Sequence, residues 1–224
     1  MTVLLALDTA TEACSVALKT GDHVLSRYDV IPRMHAQRLL PMVQELLSEA
    51  GLVAGDIDAI AFGRGPGAFT GVRIAIGIVQ GLAYALDRPV VPISDLALIA
   101  QRAYREHACK HVAVAIDARM DEVYWGCYAN VAGEMQLQGA EAVLPPERVE
   151  LHRDFDNAWH GAGTGWGYGE RIPLTPASII PDLLPHAEDL ITLASFALAR
   201  GESFSAEAAQ PIYLRDNVAT PKKS

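Results

Sequence analysis

The chain is poor in cysteine. Three residues, Cys14, Cys109 and Cys127, occur in 224, odd in number, far apart and each inside an apolar run. That pattern excludes a disulfide framework and cysteine-based metal or redox spacing, and it leaves buried free thiols of a reducing compartment. Basic charge is also short. Lys plus Arg number 18 against 27 Asp plus Glu, a net charge of −9. Binding to nucleic acid or an anionic membrane through the chain's own charge is therefore excluded. No apolar run reaches membrane-spanning length, because the longest, 74–86, is interrupted by Gln80 and glycines. The opening Met1-Thr2-Val3-Leu4-Leu5-Ala6-Leu7-Asp8 lacks a basic region, and its apolar run is too short for a secretory signal, so a cytoplasmic location is expected. His-Glu-x-x-His is absent, as is Gly-x4-Gly-Lys-Ser/Thr, which removes the sequence grounds for a zinc peptidase and for a Walker A loop.

What is present is an apolar content of 50%, ample for a large core. The chain is organised around Gly63-Arg64-Gly65-Pro66-Gly67-Ala68-Phe69-Thr70-Gly71-Val72-Arg73. A strand-like run, 57–62, precedes it and an apolar helix, 72–86, follows. Strand, glycine loop and helix is the geometry that aims backbone N–H groups at an anion. A tight turn that needs glycine's backbone freedom explains the same residues. Upstream, 3–7, 13–19 and 23–30 read as three strands, the last two joined by a Thr20-Gly21-Asp22 hairpin. Leu39, Met42, Val43, Leu46, Leu47 and Ala50 follow helical spacing, with Pro41 inside and Gly51 as the stop. His35 precedes this helix, in a capping or packing position. The helix 72–86 is apolar almost all round, with Gly77, Gly81 and Ala85 as a small-residue stripe. More of its perimeter is apolar than one sheet covers, so a partner face is expected on it. A strand at 89–93 leads to a helix at 96–107, with Ser94 as its candidate N-cap.

The second half repeats the first. Leu4-Leu5-Ala6-Leu7-Asp8 resembles Ala113-Val114-Ala115-Ile116-Asp117, an offset of 117 − 8 = 109 residues. Gly161-Ala162-Gly163-Thr164-Gly165 echoes the loop at Gly63–Gly67. Two tandem β-β-β-α-β-α units are expected: an N-terminal lobe at 1–107 and a smaller C-terminal lobe at 108–224. The span 168–185 reads as irregular, 187–200 as a helix, and the tail 209–219 as docked back on the body. Tandem units with an Asp at the tip of each first strand point to the two-lobed actin–hexokinase–Hsp70 architecture, with RNase-H-like lobes of mixed sheet flanked by helices. There Asp8, Gly65, Gly67 and Asp117 would border a nucleotide cleft. Turn capping is the other role open to Asp8 and Asp117.

Several stretches resemble the TsaB (YeaZ) family closely. They are Leu7-Asp8-Thr9-Ala10-Thr11-Glu12-Ala13-Cys14-Ser15-Val16-Ala17, the glycine loop through Ile74, Ile116-Asp117-Ala118-Arg119-Met120-Asp121-Glu122-Val123-Tyr124-Trp125, and Pro211-Ile212-Tyr213-Leu214-Arg215. The resemblance implies the same two-lobed fold. It also implies a part in making N6-threonylcarbamoyladenosine beside the anticodon of tRNAs that read codons beginning with A. In that family the transfer is attributed to a paralogue, TsaD, with TsaB as its non-catalytic scaffold and the ATPase TsaE joining them. The implied partners are a TsaD-like catalytic paralogue, a TsaE-like ATPase and a second copy of the chain, with tRNA engaged only indirectly and no membrane. The implied cofactors are none in the isolated chain, with ATP or ADP at the interface of the complex. TsaD-like paralogues carry a His-x-x-x-His metal pair where this chain has Asp95 and Ile99, so no metal is expected. Catalytic residues are expected to be absent, and the partner interface is placed at Leu39, Val43, Ile74, Ile78 and Leu82. The alternative is an enzyme in its own right, a nucleotide-dependent kinase or hydrolase of the same superfold or a peptidase.

Overall fold

A computed structural model describes residues 2–152, 155 and 158–215. Its first sheet is built from β1 (Val3–Asp8), β2 (Ala13–Thr20), β3 (His23–Val30), β4 (Ala59–Gly63) and β5 (Val90–Ile93). The order is β3-β2-β1-β4-β5, with β1, β2 and β3 antiparallel and β4 and β5 parallel to β1. The second sheet contains β6 (His111–Arg119), β7 (Glu122–Val131), β8 (Glu134–Leu144), β9 (His160–Ala162) and β10 (Ser178–Ile180). Its order is β10-β9-β6-β7-β8, with β6, β7 and β8 antiparallel and β9 and β10 parallel to β6. Each unit therefore reads third, second, first, fourth, fifth strand. The chain has two tandem RNase-H-like lobes of the actin-like type, and the offset repeat of the sequence is real. Strand β8 and the short β10 carry little local sequence signal: β8 alternates weakly, and β10 is three residues in a proline-rich span.

Among the described residues four α-helices complete the fold: α1 (His35–Ala50), α2 (Phe69–Leu86), α3 (Asp95–His107) and α4 (Ala187–Ala199). Alternation along each central strand decides what they cover. Leu5, Leu7, Ile60 and Phe62 face one side of the first sheet, where α1 and α2 pack through Leu39, Met42, Val43, Leu46, Val72, Ile76 and Val79. Leu4, Ala6, Ala59 and Ala61 face the other side, against Ala187, Leu190, Ile191, Leu193, Ala194 and Ala197 of α4. Alanine on both surfaces lets that helix sit close. In the second sheet Val112, Val114 and Ile116 face α3, through Leu96, Ile99, Ala100 and Ala103. Ala113 and Ala115 face Trp125, Trp159 and Trp166, whose indoles need the room.

This packing crosses the boundary expected at 107/108. Helix α3, from the first half, covers the second sheet, and α4, from the second half, covers the first. The two helices meet between the sheets, where Arg105 forks onto buried Asp189 at 2.9 and 2.8 Å. Neither half keeps its own core covered if cut there. Ser94 occupies the N-cap position of α3 but makes no capping hydrogen bond; its hydroxyl donates to Glu141 instead. Helix α1 begins at His35, so Pro41 lies inside it, and Gly51 ends it with a left-handed φ of 67°. The three cysteines are buried and unpaired.

Candidate functional site

A cleft of about 900 Å³ opens between the lobes. Its walls come from Ala10–Glu12 after β1, the loop Gly65–Phe69, residues 116–119 at the end of β6, and the tail segment 211–215. Gly65, Gly67 and Asp117 line it, and Asp8 does not.

Asp8 is completely buried. Its Oδ1 accepts the Ala10 N–H at 3.1 Å, and its carboxyl is hydrogen-bonded to that of Asp95. Asp95 Oδ2 accepts the Gly65 N–H at 2.6 Å. Gly63 lies against both carboxyls, and a Cβ there would overlap an oxygen of each. Burial, and then the Asp8 charge, hold the Asp95 carboxyl well above its ordinary range, so the pair retains a proton. Asp117 repeats the turn geometry of Asp8. Its Oδ1 accepts the Arg119 N–H at 2.9 Å, two residues on, as Asp8 does with Ala10. Both Asp residues cap the turn that follows their strand.

The glycines expected to admit phosphate admit the protein's own backbone. A Cβ on Gly67 would overlap the Ala10 carbonyl, and one on Gly71 would overlap the Thr9 carbonyl. Ala10 also takes the Ala68 N–H at the start of α2, at 2.7 Å. A carbonyl thus stands where an incoming anion would need a donor. Gly65 has a φ of 92°, and the Ile212 carbonyl lies 3.3 Å from the position of its Cβ. In the second lobe Gly161 makes room for the Trp166 ring and Gly165 for Ala115, so the echo of the glycine loop serves packing.

The five interface candidates separate into two groups. Leu39 and Val43 are buried in the first lobe's core, so their apolar pattern belongs to the fold and not to a free surface. Ile74, Ile78 and Leu82 on α2 are half-buried, packed at the edge of that core. Between their row and solvent lie Arg73, Gly77, Gly81 and Tyr84, all exposed and spaced three or four apart. Added Cβ atoms on Gly77 and Gly81 would meet nothing within 4 Å. By length and composition this 18-residue helix is apolar enough to cross a membrane, although the apolar run read from the sequence falls short of that; a third of it is buried.

The family described as "TsaD: tRNA N6-adenosine threonylcarbamoyltransferase" matches residues 26–158. The tRNA threonylcarbamoyladenosine biosynthesis protein TsaB of Escherichia coli is 45% identical, over 98% of this chain and 97% of its own length. Its namesake in Haemophilus influenzae is 41% identical over 98% and 96%. The solved structure of YeaZ from Pseudomonas aeruginosa superposes with a TM-score of 0.93 at 66% identity, over 96% of this chain and all of that one.

The chain belongs to the TsaB family. Asp95 and Ile99 are both buried, Asp95 against Asp8 and Ile99 against β6. Among the described residues no group of three or more His, Cys, Asp or Glu is placed to hold a metal ion. Sequence reasoning missed Asp95 as the partner of Asp8, since nothing local marks two carboxyls so far apart in the chain. It also missed Glu141, which accepts from Tyr128 at 2.5 Å and from Ser94 and pairs with Arg64 behind the glycine loop. A lone Glu inside the apolar strand end Gly139–Leu144 was the available signal.

Proposed function

We propose that the chain is the non-catalytic scaffold subunit of the assembly that installs N6-threonylcarbamoyladenosine in tRNA, binding a TsaD-like catalytic paralogue through α2. The observation that carries this reading is the open face of α2. A third of the 18-residue helix is buried, and its open side carries Gly77, Gly81, Tyr84 and Ala85 beside Arg73 and Gln80. Its glycines let a second helix approach closely, and Ile74, Ile78 and Leu82 flank the contact. Two such faces, each with α1 beside α2, pack as a four-helix bundle; self-pairing gives a two-fold dimer. A stable interface of this kind buries ~1,600 Å² in total.

The reading assigns the chain no chemistry of its own. Its turn carbonyl at Ala10 occupies the anion position before α2, and the paired Asp8 and Asp95 are closed to solvent. ATP or ADP belongs, on this reading, to the surface shared with the partners, including a TsaE-like ATPase. Reconstitution tests it: a TsaD-like paralogue, a TsaE-like ATPase, tRNA and threonylcarbamoyl-adenylate, with and without this chain. Modification that needs the chain, while the chain alone turns over neither ATP nor the adenylate, is the expected result. Turnover by the chain alone would overturn it.

A further inference from the structure

The lobes are joined firmly on one side and loosely on the other. On the closed side α3 and α4 pack together, with Arg105 on Asp189 and Arg102 donating to the Leu184 carbonyl at 2.9 Å. On the open side lies the cleft, and the segment 211–215 runs across it.

That segment touches both lobes. On the first, the Ile212 N–H donates to the Arg64 carbonyl at 3.0 Å. Arg73 donates to the Tyr213 hydroxyl, and its guanidinium lies over the Phe69 ring at 3.2 Å and 5.2 Å from the Tyr213 ring centroid. On the second lobe Arg215 donates to the Ala118 carbonyl at 3.1 Å and pairs with Glu122 at 2.5 Å. The Ala118 carbonyl leads into a turn in which Arg119, Met120 and Asp121 all have positive φ, of 61°, 57° and 61°. Three non-glycine residues in the left-handed region form an uncommon turn. Arg215 also reaches the Arg119 carbonyl at 3.5 Å and the Met120 Sδ at 3.7 Å, and among the described residues the Ile212 N–H makes the segment's one main-chain to main-chain bond. The segment forms no strand ladder, and Ile212 and Tyr213 are 43% and 53% exposed. Few buried contacts and few backbone bonds are the marks of a segment that opens locally, well below the cost of unfolding the whole.

We infer that Pro211–Arg215 is a releasable strap that closes the interlobe cleft, with Arg215 as its catch on the second lobe and Ile212 as its anchor on the first. Release leaves α3 against α4 and exposes the cleft wall at Ala10 and Ala118.

Thiol labelling of the full chain tests it. Ala118 lines the cleft and is buried, and the native thiols are buried too, Cys14 with its pKa pushed up to about 12 by that burial. An Ala118→Cys background reacts with a maleimide at a rate set by cleft opening, while the native cysteines report global unfolding. Arg215→Ala frees the catch, and Ile212→Pro removes the anchoring N–H. Each is expected to raise labelling at position 118 by tenfold or more, with Cys14, Cys109 and Cys127 as unreactive as before. Labelling at the parent rate in both variants would overturn the proposal. So would equal acceleration at the native cysteines, since release would then be unfolding.

Discussion

At the scale of single residues the decisive group is the Asp8–Asp95 pair. In the folded chain Asp95 holds its proton above its ordinary value of 3.8, through burial and the neighbouring Asp8 carboxylate. The unfolded chain releases that proton near pH 4. Below that pH both states are protonated and the folded state keeps its full stability. As pH rises toward the folded value the native state alone holds the proton, and stability falls. Asp95→Asn keeps an acceptor for the Gly65 N–H and a donor for Asp8 and has no proton to hold. It is expected to raise the neutral-pH Tm by about 2–4 °C per kcal/mol recovered and to flatten the slope above pH 4; melting curves from pH 4 to 8 check both. Asp8→Ala strips the Ala10 N–H of its buried acceptor and is expected to cost about 1–3 kcal/mol, read by denaturant unfolding. Asp8 and Asp117 stood out in the sequence because each ends an apolar strand, and the repeat at one offset paired them. Their role in capping was one of two open readings, since the same pattern serves a nucleotide cleft. Both do cap their turns, and Asp117 also lines the cleft; the Ala10 carbonyl and Asp95 that enclose Asp8 are not tied to the loop by local sequence.

At the scale of elements, glycine separates two roles that sequence alone leaves together. Gly77 and Gly81 stand on the open side of α2. Replacing either by Ala is expected to stabilise the monomer by up to ~1 kcal/mol, because a helical glycine costs that much in backbone freedom. Gly67→Ala and Gly71→Ala drive a methyl group into the carbonyls of Ala10 and Thr9. They are expected to destabilise by roughly 1–3 kcal/mol, as overpacking does. Thermal melts of the four variants show the opposite signs directly. The stripe at Gly77, Gly81 and Ala85 was legible because helical periodicity is local. Burial of Leu39 and Val43 was not, since an apolar row on a helix looks the same facing a core or a partner. The exchange of α3 and α4 between sheets was invisible for the same reason: each helix shows an apolar face, and its spacing does not name the sheet that receives it.

At the scale of the whole molecule, the joint between the lobes carries its own pH dependence. His186 caps α4 by accepting the Glu188 N–H at 3.1 Å and stacks on Tyr28 of the first sheet at 4.8 Å between ring centroids. Burial, then Arg102 and Arg105, lower its pKa from 6.5 to about 4. Its neutral form is the folded one, so the stability it supports is present above pH 6.5 and is lost as pH falls toward 4. His186→Asn keeps a capping oxygen without the titration and is expected to lessen acid destabilisation between those values by about 2 kcal/mol, allowing for partial exposure; urea unfolding at pH 7 and pH 4.5 measures it. The proposed scaffold role rests on the open face of α2. Gly77→Arg and Gly81→Arg place a long charged side chain in open space on the monomer and in the middle of any helix pair formed there. Sedimentation velocity with the chain alone and with a TsaD-like paralogue is the direct measurement. Folded monomers are expected, melting no lower than the parent, that lose both self-association and the paralogue by a hundredfold or more. Folded variants that keep both associations would contradict it.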